Sequence, residues 1–199
     1  MKFLKIKRSE HILGYRDYAK DYEIEYLERP SKKRPKMNRI YIGPYYRFDI
    51  SDKQLRKLRF FYLINMVLLA ACQLIPMCVD SAFSRTWYIE VPAVCAWIPW
   101  LLASGSTYRL WTVREKVDRE HYELMHDRMS GASLFLMGFH AISAVGCIMQ
   151  LSNQPAASTD YLICACCLGA VFFSAQLFTK RKELEMVRME NPEKSHKCK

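Results

Sequence analysis

The sequence predicts an all-α, polytopic integral membrane protein: four transmembrane helices in an antiparallel bundle, with both termini in the cytosol. Three observations predict it. First, residues 60–79 (FFYLINMVLLAACQLIPMCV) carry no charge. At a helical rise of about 1.5 Å per residue such a run reaches about 30 Å, the thickness of a bilayer's hydrocarbon core. Second, charged and apolar residues are segregated along the chain, whereas a soluble domain mixes them. Third, the basic residues fall almost entirely into three stretches. Residues 1–59 hold seventeen Lys and Arg, residues 109–130 hold five and residues 180–199 hold seven, against Arg85 alone elsewhere.

By the positive-inside rule those three stretches belong on the cytosolic side, and the short loops 80–86 and 152–160 outside. In a bacterium the membrane would be the plasma membrane. This asymmetry accounts for the net charge of +10 without nucleic acid, so no nucleic-acid partner is expected. The expected organisation is a basic, tyrosine-rich tail (1–59), a membrane domain (60–179) and a basic C-terminal tail (180–199). The basic start MKFLKIKRSE is followed by no apolar run, so the first span is expected to act as an uncleaved signal anchor. Cys198 is penultimate and does not form a prenylation box.

Within the N-terminal tail, Ile12, Tyr15, Tyr18, Tyr22 and Tyr26 recur at three- and four-residue steps, which predicts an amphipathic helix, although residues 22–26 (YEIEY) also alternate as a strand would. Residues 30–39 (PSKKRPKMNR) read as a basic linker whose prolines oppose regular structure. Its Lys32, Lys33, Arg34, Lys36 and Arg39 are a cluster suited to anionic lipid headgroups, at about 1 kcal/mol per basic residue near the surface; a pure topology signal is the alternative. Gly43-Pro44 marks a turn in an aromatic stretch expected at the interface. Ser51 with Gln54 forms a capping box, so the first helix is expected to start there and climb into the bilayer.

The first span (60–79) contains Asn65 and Gln73, eight residues apart and therefore on nearly the same face. Their amides need partners in lipid, and helix contact supplies them; a substrate-binding stripe is the rarer use. The second span (87–108) contains Glu90, Pro92 and Pro99. The prolines share a face and can kink the helix. Glu90 lies about one turn inside the outer boundary, where it can reach the interface or pair with Arg85; an intramembrane carboxylate is also a functional candidate.

The link 109–130 has no proline or glycine and carries opposite charges at i,i+4, such as Arg114–Asp118 and Glu115–Arg119. Spans two and three are therefore expected to continue through it as helices around a turn. The third span (132–151) carries His140 near its middle, with Ser143 and Cys147 near one face and Gly138 and Ala144 nearby. Such a histidine usually hydrogen-bonds within the bundle; proton relay or ligand binding is the alternative. The fourth span (161–179) has a stripe of small residues, Cys166, Ala170 and Ser174, expected to face another helix. The C-terminal tail is expected to stay helical to Met189.

Seven of the eight cysteines fall in or at the ends of the spans, and the outer loops hold none, which is not a secreted disulfide framework. His121 and His126, five apart, do not share a helix face, so no metal site is expected. No phosphate-binding glycine loop or nucleophile elbow is present, and no cofactor is expected. The leading functional reading is a non-enzymatic accessory or interaction subunit, working with a protein partner or as a homo-oligomer in the bilayer. A small oligomeric transporter or channel, using Asn65, Gln73, Glu90 and His140, is the first alternative. A membrane thiol oxidoreductase using Cys164 and Cys167 is the second; its CxxC spacing lacks a second, relaying cysteine pair.

Overall fold

A computed structural model describes residues 21–27, 36–81, 83–113, 116–153, 155 and 157–189. The chain divides into two compact units, one of Met1–Asp49, Arg114–Tyr122 and Met186–Lys199, the other of Ile50–Val113 and Glu123–Glu185.

The larger unit is helical. Its helices are α1 (Asp52–Cys78), α2 (Trp87–Cys95), α3 (Trp97–Thr112), α4 (Arg119–Asn153, entering this unit at Glu123) and α5 (Ser158–Lys180), followed by one 3₁₀ turn, Arg181–Leu184. Among the described residues, four stretches are long and apolar enough to cross a membrane: Asp52–Cys78, Trp87–Thr112, Arg119–Asn153 and Ser158–Leu184. Their outer faces expose Ile64, Val67, Leu101, Phe135, Ile142, Val145 and Phe172. So much exposed apolar surface suits lipid rather than water.

Local chemistry sets the helix ends. Ser51 caps α1 as expected: its backbone N–H donates to Gln54 Oε1 at 3.1 Å, and its hydroxyl accepts from the Gln54 N–H. The second span breaks between α2 and α3 at Ala96. Pro99 has no N–H, so the Cys95 carbonyl loses its helical donor at that break. At the other end of α3, Arg59 reaches across from α1. Its Nε donates to the Leu110 carbonyl at 3.0 Å and its Nη2 to the Val113 carbonyl at 2.6 Å. A cation there satisfies orphan carbonyls and complements the helix dipole.

Helix α1 packs against α5 and α3. The small stripe of α5 is used for burial: Cys166, Ala170 and Ser174 are all buried. On α4 the close approach falls on Gly146 rather than Gly138. A Cβ at Gly146 would meet Tyr88 Cδ2 at 2.8 Å and Ile89 Cγ1 at 3.0 Å, whereas one at Gly138 would meet nothing within 4 Å. The Ser143 hydroxyl, one turn earlier, donates to the Ile89 carbonyl at 3.0 Å across the same junction.

The smaller unit contains strands where helix and linker were expected. Strand β1 (Tyr22–Leu27) pairs antiparallel with β2 (Lys36–Tyr41), with Tyr22 opposite Tyr41 and Leu27 opposite Lys36. The period-two reading of residues 22–26 prevails over the helical one because a partner strand satisfies its backbone. Residues 30–39 are correspondingly not irregular throughout: Pro30 and Pro35 precede β2 rather than interrupt it, so no ladder donor is lost. The earlier part of the predicted helix, with Ile12, Tyr15 and Tyr18, lies outside the described residues.

A second sheet has the order β4-β3-β5 and is antiparallel throughout. Here β3 is Tyr45–Phe48, β4 is Val117–Asp118 and β5 is Met186–Met189. The link 109–130 is helical to Thr112 and again from Arg119, as expected, but a short strand takes part in the connection where a turn alone was expected. It leaves α3 at Thr112, makes a two-residue strand, Val117–Asp118, and enters α4 at Arg119; Arg114 and Glu115 lie outside the described residues. The C-terminal segment likewise ends in a strand, not a helix to Met189.

Tyr41 ties this unit together. Its hydroxyl donates to the Pro44 carbonyl at 2.7 Å and accepts from the Arg119 N–H at 3.0 Å. Its ring packs edge-on against Tyr22 and Tyr45. Burial pushes its phenol up to about 12, so it stays protonated. Gly43 follows because a Cβ there would stand 2.6 Å from the Tyr41 hydroxyl and 2.8 Å from Asp21 Cβ.

Replacing Gly146 with Leu should force α4 away from α2 and destabilise the helical unit by about 1–3 kcal/mol. The same change at Gly138 should cost less than about 0.5 kcal/mol. Thermal unfolding in detergent checks both, and equal losses at the two positions would contradict the assigned contact.

Candidate functional site

The polar residues inside the helical unit are the place to look for chemistry. Helix α1 buries Tyr62, Asn65, Met66, Leu69 and Gln73, a stripe at helical spacing. Two of its polar members were expected from the sequence; Tyr62 was not, though its position three residues before Asn65 puts it on the same stripe.

Gln73 and His140 are brought together. Gln73 Nε2 lies 3.0 Å from His140 Nε2, and both side chains are buried. Which of the two groups donates depends on the imidazole tautomer; either way the contact joins α1 to α4. Asn65 does not join this pair. Its Nδ2 donates to the Phe61 carbonyl of its own helix at 2.9 Å. Glu90 stands apart as well. It is exposed in the first turn of α2, where a carboxylate favours the helix N-terminus. Its expected partner Arg85 instead pairs with Asp80 at 2.9 Å.

Three polar atoms on the stripe find no hydrogen-bond partner among the described residues: Tyr62 Oη, Asn65 Oδ1 and Gln73 Oε1. Each such atom is costly in an apolar interior. Other buried hydroxyls are satisfied by carbonyls one turn back on their own helix, as for Thr107 to Ala103 at 3.0 Å and Ser174 to Ala170 at 2.7 Å.

At the other end of the unit, Asp160 is buried. Its Oδ2 accepts from the Ala157 N–H at 2.7 Å and its Oδ1 from the Ser81 hydroxyl. Ser81 also accepts from the Phe83 N–H at 3.0 Å, so one carboxylate joins the loop after α1 to the start of α5. Below it lies a cluster of Phe83, Ile89, Ala144, Cys147, Ile163, Cys164 and Cys167. The thiol contact there is not the CxxC spacing read from the sequence. Cys147 on α4 has its Sγ 3.8 Å from Cys167 Sγ on α5. Nothing in the one-dimensional spacing could have paired cysteines from two spans.

Of the basic cluster, Lys36 and Arg39 lie on β2, opposite Leu27 and Ile24, while Lys32, Lys33 and Arg34 lie outside the described residues. Set against family models, curated proteins and solved structures, the chain matches none of them.

In a double-mutant cycle of unfolding, Gln73→Leu and His140→Leu should couple by about 0.5–1.7 kcal/mol. Asn65→Leu with His140→Leu should be additive within about 0.5 kcal/mol. Coupling of equal size in both cycles would show that Asn65 shares the Gln73–His140 contact after all.

Proposed function

We propose that this chain is a non-enzymatic accessory or interaction subunit of a membrane assembly. Four spans in an antiparallel bundle anchor a small cytosolic unit that makes the contacts. The observation that carries the reading is the β4-β3-β5 sheet. It hydrogen-bonds a segment before α1, a segment between α3 and α4, and a segment after α5. If the four apolar helices cross the bilayer, only a topology that returns all three segments to one side allows those pairings. These are the stretches that hold nearly all the Lys and Arg, which supports the cytosolic side. In a bacterium that membrane is the plasma membrane.

A chain with so little mass outside the bilayer has reason to invest in a built unit there if something docks on it. The partner is another membrane-assembly protein or a second copy of the chain. The basic residues 32–39 add attraction to anionic headgroups.

The transport reading has one supporting observation, the buried Gln73–His140 pair with unpartnered oxygens on the same helix stripe. Against it, the exposed Glu90 lies outside that stripe.

Gentle detergent extraction at native expression, followed by native-size analysis and mass spectrometry, tests the proposal. A stoichiometric partner should co-purify. Gly43→Val, which drives a side chain into Tyr41 and Asp21, should abolish its retention while protease protection still reports four spans. Lost insertion in that variant would make the unit a topology device. A pure homo-oligomer whose flux in vesicles falls with His140→Ala would favour transport.

A further inference from the structure

The helical unit brings thiols together that the sequence keeps twenty residues apart. Cys147 and Cys167 face each other at 3.8 Å between their sulfurs. Both are free thiols and both are buried. Cys164, one turn before Cys167 on α5, belongs to the same cluster, whose other members are Phe83, Ile89, Ala144 and Ile163. The cluster's side chains are apolar, with the buried Asp160 carboxylate nearby; among the described residues no group of three metal-ligating side chains occurs. A disulfide needs its sulfurs at about 2.05 Å. The remaining gap is about 1.8 Å.

Cys147 lies six residues before the end of α4 and Cys167 nine after the start of α5. An oxidant must therefore enter an apolar layer, which excludes charged disulfides and favours a small neutral molecule.

We propose that Cys147 and Cys167 form an oxidation site, at which a neutral hydroperoxide joins α4 to α5 through a disulfide. One sulfur attacks the terminal oxygen of the hydroperoxide. The O–O bond breaks, an alcohol or water leaves with the thiol proton, and a sulfenic acid remains. The second sulfur attacks that sulfenic sulfur. The S–S bond forms, the S–O bond breaks and water leaves with the second thiol proton. Two thiols are oxidised by two electrons and one peroxide is reduced. The contact so fixed lies beside the Ser81–Asp160 tie, so oxidation would staple the end of the unit that the carboxylate already holds.

The test uses the full chain, reduced and reconstituted in lipid nanodiscs. It is exposed to hydrogen peroxide in one arm and to cumene hydroperoxide in the other, then alkylated and digested without reduction. Mass spectrometry should find a Cys147–Cys167 linked peptide that dithiothreitol removes. Cys147→Ser and Cys167→Ser should each abolish it, and Cys164→Ser and Cys166→Ser should retain it. Formation with hydrogen peroxide supports an aqueous source of oxidant; formation with the organic peroxide alone supports a source in the bilayer. Exposed Cys78 serves as the internal control. Oxidation of Cys78 with no Cys147–Cys167 link, or a Cys164–Cys167 link in its place, overturns the proposal.

Discussion

An apolar medium such as a bilayer's hydrocarbon core offers no partner to a peptide N–H or C=O, and the helical unit answers that constraint at several of its helix ends. Within a helix the backbone satisfies itself; the weak points are the ends and the prolines. Ser51 and Gln54 close the start of α1, Arg59 covers the last carbonyls of α3, and Asp160 with the Ala157 N–H closes the start of α5. At the second span the break is confined to Ala96, where Pro99 has withdrawn a donor. The exposed apolar side chains on the outer faces of these helices need no partners and are free to be Ile, Val, Leu and Phe.

Once the backbone is satisfied, the side chains left inside decide how the helices meet. Small residues admit neighbours, as Gly146 admits Tyr88 and Ile89. Polar ones either bond their own helix, as Asn65 does, or cross to another, as Gln73 does to His140 and Ser143 to Ile89. The three unpartnered oxygens on α1 are the exception to this economy. They are concentrated on one stripe of one helix, which makes that stripe the unit's least settled region in energetic terms.

The smaller unit obeys different physics. Its strands are short and come from three distant parts of the chain, so loop closure opposes their pairing. What holds them includes a knot of tyrosines around Tyr41 and the stacking of Tyr46 on Tyr122, with ring centroids 4.6 Å apart. This gives Tyr22, one of the tyrosines that periodicity assigned to a helix face, a place in a cluster of rings instead. In residues 22–26 the helical and strand patterns coincide, and only a partner such as β2 can choose between them.

By itself the sequence determined the number of apolar spans, their approximate limits and the cap at Ser51. These depend on composition and on neighbours within one helical turn, which a linear chain displays directly. It also placed Gln73 and His140 among the buried polar residues. Only the tertiary structure decided that these two meet while Asn65 stays on its own helix, that Gly146 rather than Gly138 is the close contact, and that Cys167 faces Cys147 rather than Cys164 alone. It likewise drew Val117–Asp118 of the charged link and Met186–Met189 of the C-terminal segment into strands of one sheet. The physical reason is common to all of them: each depends on which distant residue arrives opposite, and that is set by helix rotation and strand register, not by spacing along the chain.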